Sequence, residues 1–407
     1  MPPSRKAPRR ASARAALLAV GLVAGFLVGG ATPPPSAGPS ATTSPEPTAT
    51  PTAAPTATPV PTPRFELISV PLLAYYYIWF DPSSWDRAKS DLPLLGPYSS
   101  DDESIMRQHV AWARSAGLDG FIVSWKNTTV LDKRLDTLVR VARAANFKLE
   151  VIYEGLDFSR NPLPPTQVAE DLDFFIARYA ADPVFDLLGK PVMILSGTWE
   201  FSTADVAVMA GARRDKLTIL ASERTAEDFG RLANVVDGNA YYWSSVNPDT
   251  SPDYADKLKA MGAAVHNASG FWFPPAAPGF DARLVGGTTV VDRQGGQMLQ
   301  RQLDTAMGSF PDAIGLISWN EFSENSQIEP SKAYGDQSLK VIAELRKTNY
   351  TSVGDFDSSS PQGVDVSAGI SRVVALVLVG GLGFGGALVL VRRRRQPVRR
   401  RRRPARR

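Results

Sequence analysis

Ala313-Ile314-Gly315-Leu316-Ile317-Ser318-Trp319-Asn320-Glu321-Phe322-Ser323-Glu324 carries a short apolar run straight into two carboxylates three residues apart. An apolar run of this length suits a strand buried on both faces, as in a parallel sheet. Seven more such runs precede it, at 72–78, 120–124, 148–153, 191–195, 217–221, 235–241 and 263–266. Between them lie stretches with helical spacing. Asp101 can cap one that carries Ile105, His109 and Trp112, and Thr166 another that carries Val168, Leu172, Phe175 and Tyr179 on one stripe. The strand–helix alternation, repeated eight times over residues 65–353, predicts an α/β protein of the (β/α)8 TIM barrel class.

On either side of 65–353 the composition changes. Residues 1–31 begin with five Lys/Arg and continue as an apolar stretch, the pattern of a signal peptide or an uncleaved signal anchor. Residues 32–64 are rich in Pro, Thr and Ala, with eleven prolines, and predict an extended disordered linker without a core. After a second short linker at 354–372, residues 373–391 form an uncharged run of 19 residues, long enough to span a bilayer as a helix. Residues 392–407 follow with eleven arginines, which the positive-inside rule keeps in the cytoplasm, so the barrel is expected outside the cell membrane. Gly381 and Gly385 within the run are spaced as in a helix-pairing step. The formal net charge of +4 comes from these ends; without their 16 basic residues the chain keeps 29 Lys/Arg against 41 Asp/Glu. A protein so acidic between its ends is not expected to bind nucleic acid.

The residue inventory restricts the chemistry. With no cysteine and only two histidines, His109 and His266, thiol catalysis and His-rich metal sites are improbable, and no cofactor or metal is expected. Acid–base work falls to carboxylates. Barrel enzymes carry their site at the C-terminal strand ends. There the sequence places Tyr75-Tyr76-Tyr77, Trp125, Glu154, Tyr241, His266 and Asn320 with Glu321 and Glu324. Aromatic faces beside carboxylates and amides suit a carbohydrate, and two carboxyl groups in different protonation states are what glycoside cleavage requires. Half of such aromatics are ordinary core, and His109, in mid-helix, reads as structural.

The segment Asn320-Glu321, Glu324, Gln327-Ile328-Glu329-Pro330 resembles the N-E-W-x-E-G-T-Q-I-E-P motif of glycoside hydrolase family 99, the endo-α-mannosidases and endo-α-mannanases. Weaker resemblances support it at Tyr75–Trp79, Gly120–Trp125, Pro278-Gly279-Phe280-Asp281 and Asp292-Arg293 with Gly295-Gly296. Phe322 stands where the motif has Trp, and Asn325 where it has Gly. The resemblance implies a barrel that cleaves an α-glycosidic bond with retention, through the substrate's own 2-hydroxyl. Glu321 would assist that hydroxyl and Glu324 would be the acid/base. Trp125 and Glu154 would face the sugar; Tyr77, Tyr241, Asn320 and His266, from their place at strand ends, are the further candidate sugar contacts. The expected partner is an α-glycan, with an α-1,3-glucanase, a cell-envelope glycan editor or a non-catalytic glycan-binding protein as the competing expectations.

Overall fold

A computed structural model of the chain describes residues 69–353. The expected signal or anchor, both linkers, the apolar run 373–391 and the arginine tail lie outside the described residues. Among the described residues no helix is long and apolar enough to cross a membrane.

The strands are β1 (Leu72–Tyr77), β2 (Gly120–Trp125), β3 (Lys148–Tyr153), β4 (Val192–Leu195), β5 (Thr218–Ala221), β6 (Gly238–Ala240), β7 (Phe271–Phe273), β8 (Pro275–Ala276), a small hairpin of β9 (Phe280–Asp281) and β10 (Val290–Val291), and β11 (Ile314–Leu316). Alternating with them are α1 (Glu103–Ala116), α2 (Thr129–Ala145), α3 (Pro165–Tyr179), α4 (Thr203–Ala210), α5 (Ala226–Gly230), α6 (Tyr254–Asn267), α7 (Gln297–Met307) and α8 (Gln337–Arg346). The main sheet is parallel throughout and runs β7-β6-β5-β4-β3-β2-β1-β11-β8. Its two ends are one stretch of chain divided by Pro274. The Phe273 carbonyl accepts from Tyr241 N–H on one side, and the Pro274 carbonyl from Gly315 N–H on the other. The sheet therefore comes round on itself as a TIM-like barrel with one strand in two pieces.

Seven of the eight expected strands fall where the apolar runs lie. The exception is 263–266, which falls in the last turn or so of α6; the seventh strand is Phe271–Phe273 with Pro275–Ala276. Prolines 274 and 275 cannot donate to a ladder, which breaks the strand signal in the sequence and the strand itself. The helix starts shift by small amounts. Asp102 rather than Asp101 caps α1, accepting from Ser104 N–H, and Asp101 pairs with Arg134 of α2 instead. The α3 helix opens with Pro165 in its first turn rather than with a Thr166 cap.

Strand parity sorts the core into two layers. Leu73, Tyr75, Ile122, Ile152, Ile194, Leu220, Ala240, Phe273 and Ile317 pack together inside the barrel. Their strand neighbours, among them Leu72, Tyr76, Phe121, Val123, Val151 and Leu316, pack outward with the helices. Gly315 lies in the inner layer because the Tyr75 ring fills its place: a Cβ there would stand 2.7 Å from that ring.

Candidate active site

Past β11 the chain leaves the barrel top as a loop that is tied down along its length. Trp319 N–H donates to Tyr75 O at 2.8 Å, and Glu329 N–H returns to Trp319 O at 2.8 Å, closing residues 319–329 into a loop with joined ends. Ser318 Oγ accepts from Glu321 N–H at 2.8 Å. Phe322 O accepts from both Ser90 N–H (3.0 Å) and Ser90 Oγ (2.7 Å), and Glu324 O accepts from Asp281 N–H at 2.7 Å. Arg293 lies buried beneath the loop, stacked 4.1 Å from the Tyr334 ring, and one of its nitrogens donates to Asn325 O (2.9 Å) and Gln327 O (2.8 Å). Burial lowers the Arg293 pKa to about 10, still a cation at neutral pH. Asn325 sits at φ +53°, where Asn is tolerated second to Gly; this accounts for the departure from the motif's glycine. Phe322 keeps an aromatic where the motif has Trp, fully buried and edge-on to Trp85 at 5.8 Å.

This frame turns Glu321 and Glu324 into one cleft. Both are buried, and the charge of Glu321 is felt directly at Glu324. They differ in what surrounds them. Glu321 accepts from Ser323 N–H at 3.0 Å and faces the charge of Lys89. Neither carboxyl oxygen of Glu324 has a hydrogen-bond partner among the described residues. Burial raises the pKa of Glu321, while its hydrogen bond with Ser323 and the Lys89 charge pull it back. Burial raises Glu324 well above the ordinary carboxylate range, Glu321 raises it further, and only Arg160 opposes them. Two carboxyls so placed separate into one ionised group and one proton donor.

Three further strand ends meet them. Glu154 follows β3 with its Oε1 accepting from Ser124 Oγ of β2 at 2.8 Å, and burial raises its pKa against the pull of Lys126 and Arg160. Tyr77 of β1 and Tyr242 after β6 meet hydroxyl to hydroxyl at 2.7 Å, and both rings lie in the field of Glu321 and Glu324. The cleft is thus lined by three carboxyls and two phenols, with Lys89, Lys126 and Arg160 as its nearby cations. Among the described residues, no group of three or more His, Asp or Glu side chains is arranged to hold a metal ion.

Of the residues singled out in the sequence, Glu321, Glu324, Glu154 and Tyr77 converge here, and four do not. Trp125 points outward, its indole N–H on Asp132 at 2.9 Å and its ring against Phe174 and Phe175 of α3. Tyr241 also points outward and accepts from Lys257 Nζ of α6 at 2.8 Å; its neighbour Tyr242 takes the inward position. His266 belongs to the last turn of α6 and pairs with Asp312 (3.0 Å) at the opposite end of the barrel. Asn320 is fully buried, with its amide engaged by Tyr77 N–H and O (2.9 Å each) and by the Tyr98 hydroxyl (3.2 Å). It fixes the end of β1. Behind it, Tyr98 and His109 hold Glu329 at 2.9 and 3.0 Å, and His109 also meets Tyr76 at 3.0 Å. The sequence reading missed Tyr242, Ser124, Lys89 and Arg160. The first two each stand two residues beyond a residue that the structure places inside the barrel (Ala240 and Ile122).

Comparison with known proteins points the same way. The family model described as glycosyl hydrolase family 99 matches residues 80–350. Two curated relatives are glycoprotein endo-α-1,2-mannosidase-like proteins. That of Danio rerio is 25% identical over 270 residues, 60% of this chain and 60% of the relative; that of Mus musculus is 23% identical over 274 residues, 60% of this chain and 58% of the relative. The chain thus spans about three fifths of the length of the curated relatives it matches. A solved family 99 endo-α-mannosidase from Bacteroides thetaiotaomicron, in complex with bis-tris-propane, superposes with a TM-score of 0.60 at 22% identity, covering 68% of this chain and 97% of that one. That last likeness is one of fold.

Proposed function

The chain belongs to glycosyl hydrolase family 99, and from that premise we propose that it is a retaining endo-α-glycosidase acting on α-mannan or a related α-glycan outside the cell. The observation that carries the proposal is the Glu324 carboxyl: buried, without a hydrogen-bond partner among the described residues, and beside a second buried carboxyl in one cleft. A carboxyl in that state is a proton donor awaiting an acceptor, and the leaving glycosidic oxygen is such an acceptor.

The roles divide as the surroundings differ. Glu321, with an N–H bond and a cation nearby, is the group better able to hold charge. It takes the proton of the substrate's 2-hydroxyl as O2 attacks carbon one, closing a 1,2-anhydro ring. The bond from carbon one to the leaving oxygen breaks, and that oxygen receives the Glu324 proton. Glu324, now a carboxylate, then takes a proton from water. The water oxygen attacks carbon one, the anhydro ring opens, and O2 recovers its proton from Glu321. Two inversions give net retention. Glu154, Tyr77 and Tyr242 face the sugar across the cleft, donating to or accepting from its hydroxyls.

We further read the chain as tethered to the cell membrane. The supports are the basic-apolar residues 1–31, the proline-rich spacer 32–64 and the apolar run 373–391 followed by arginines, which would leave the barrel outside and the tail in the cytoplasm. Incubating the full chain with defined α-linked mannans and with α-1,3-glucan, and weighing the products, tests the activity. Release of oligosaccharides whose first-formed anomer is α supports the reading. Glu324→Gln with unchanged turnover on every substrate that the natural chain cleaves would remove it. Cleavage of α-1,3-glucan alone would move the substrate and keep the chemistry.

A further inference from the structure

Beside the cleft, three successive strand ends each carry one large side chain: the half-buried Trp199 after β4, the exposed Arg224 after β5, and after β6 the half-buried Trp243, which packs edge-on against Tyr254 of α6. The Arg224 guanidinium lies 3.9 Å from the Trp199 ring centroid. Lys257, in the first turn of α6, stands 4.8 Å from the ring centroids of both Tyr241 and Trp243. Arg224 is exposed and makes no hydrogen bond or ion pair with any described residue; the carboxylate next to it in sequence, Glu223, is taken by Arg231 at 2.6 Å. The charge of Arg224 reaches both Tyr241 and Lys257, so the two cations belong to one group. Asp228 and Asp253 are the acidic side chains that Lys257 feels, and Asp228 is held by Thr225 Oγ at 2.7 Å.

None of this serves the carboxylates of the cleft, yet it adjoins them. Tyr242, between Tyr241 and Trp243, is the cleft phenol, and one residue of extended chain is only about 3.3 Å. A glycan that leaves the cleft past Tyr242 meets this rim next. A neutral sugar needs ring faces and hydroxyl partners but no pair of cations. A guanidinium stacked on an indole keeps its in-plane N–H donors free for an oxyanion.

Building on the hydrolase reading, we propose that the Trp199–Arg224–Trp243–Lys257 rim is a distal glycan subsite that takes a sugar bearing an anionic substituent, a phosphate or a carboxylate. Arg224 and Lys257 supply the countercharge and Trp243 a ring face.

The test titrates the full chain by calorimetry, at low ionic strength, with methyl α-mannoside, methyl α-mannoside 6-phosphate, methyl α-glucuronide and inorganic phosphate. The charged sugars should bind about tenfold more tightly than the neutral one, and the preference should fade with added salt. The phosphate and carboxylate arms tell the two anions apart. Arg224→Gln, at an exposed position, and Lys257→Met should each remove most of the preference. Neither should alter turnover of a neutral α-mannan oligosaccharide. Three results overturn the proposal: equal binding of charged and neutral sugars, a preference that survives both substitutions, or inorganic phosphate binding as tightly as the sugar phosphate. The same titrations separate this proposal from the one it rests on. Charge preference lost in Arg224→Gln but with no glycan cleaved by the natural chain keeps the rim and removes the hydrolase; cleavage without preference does the reverse.

Discussion

Two sets of acidic side chains, one at each end of the barrel, sit in opposite surroundings. At the N-terminal end, Asp119 accepts from Leu72 N–H at 2.8 Å and pairs with Arg346; Asp237 accepts from Ile219 N–H at 2.9 Å and pairs with Arg214; Asp312 accepts from Trp272 N–H at 2.7 Å and pairs with His266. Each stands just before one strand and caps the first N–H groups of the strand beside it. At the C-terminal end, Glu321 accepts from Ser323 N–H, Glu154 meets the hydroxyls of Ser124 and Ser196, and Glu324 has no hydrogen-bond partner among the described residues. The first arrangement stabilises the fold. The second is held in place by it at a cost, since buried carboxyls this poorly satisfied disfavour the folded state whenever they are charged.

The largest effect that this contrast predicts is on turnover at the C-terminal end. Glu324→Gln removes the proton donor and should lower kcat on an α-glycan by roughly 10²–10⁴, the usual range for losing a general acid. On an aryl or fluoride leaving group, which departs without a proton, the loss should shrink strongly. Glu321→Gln should lose activity on both kinds of substrate, because the 2-hydroxyl must be deprotonated whatever leaves. Equal losses across leaving groups for both variants would break the division of roles.

At the other end the same kind of change should act on stability alone. Asp119→Ala or Asp312→Ala leaves a strand N–H uncapped and removes one partner of Arg346 or of His266, and should cost about 1–3 kcal/mol by denaturant unfolding. The pH profile of kcat should stay where it was. A shifted profile would mean that the two ends are coupled through the barrel.

The contrast was only half legible in the sequence. The βα alternation and the two carboxylates after the final apolar run can be read from residue types alone, since a strand buried on both faces is a plain apolar run. That same burial hides phase. In Ser124-Trp125 and Tyr241-Tyr242 both parities are equally buried candidates, and the larger or earlier aromatic is the wrong choice each time: Ser124 and Tyr242 face inward. His266 misled because Ala263–His266 is apolar enough for a strand, while the true strand is broken by two prolines. The cations Lys89 and Arg160 sit on loops, and Arg160 at φ +69° is placed by a local turn that no periodicity announces.

A smaller effect follows from linkage at Glu324. The folded-state pKa of Glu324 lies above its unfolded value, so what its carboxyl contributes to stability is fully present below the unfolded pKa and is lost as pH rises through the folded one. Glu324→Gln should therefore raise Tm near pH 8, by about 2–4 °C for each kcal/mol relieved. The gain should vanish near pH 4, where the natural residue is itself protonated. Asp119→Ala and Asp312→Ala, which only remove strand caps, should lower Tm rather than raise it. A Glu324→Gln variant less stable than the natural chain at pH 8 would show that its carboxylate is satisfied after all.

The smallest effect is the most specific to the cleft. Lys89 lowers the pKa of Glu321, and Arg160 lowers that of Glu324. If Glu321 must be ionised and Glu324 protonated, the pH dependence of kcat/KM is a bell whose acid limb belongs to the first and whose alkaline limb belongs to the second. Arg160→Gln should then move the alkaline limb upward and leave the acid limb in place. Lys89→Met should move the acid limb upward and leave the alkaline limb in place. The rate at the optimum should change by less than about threefold in either case, since half-exposed cations couple weakly through water. Both substitutions moving the same limb would mean that one carboxyl does all the titrating, and the division between an ionised and a protonated glutamate would have to be redrawn.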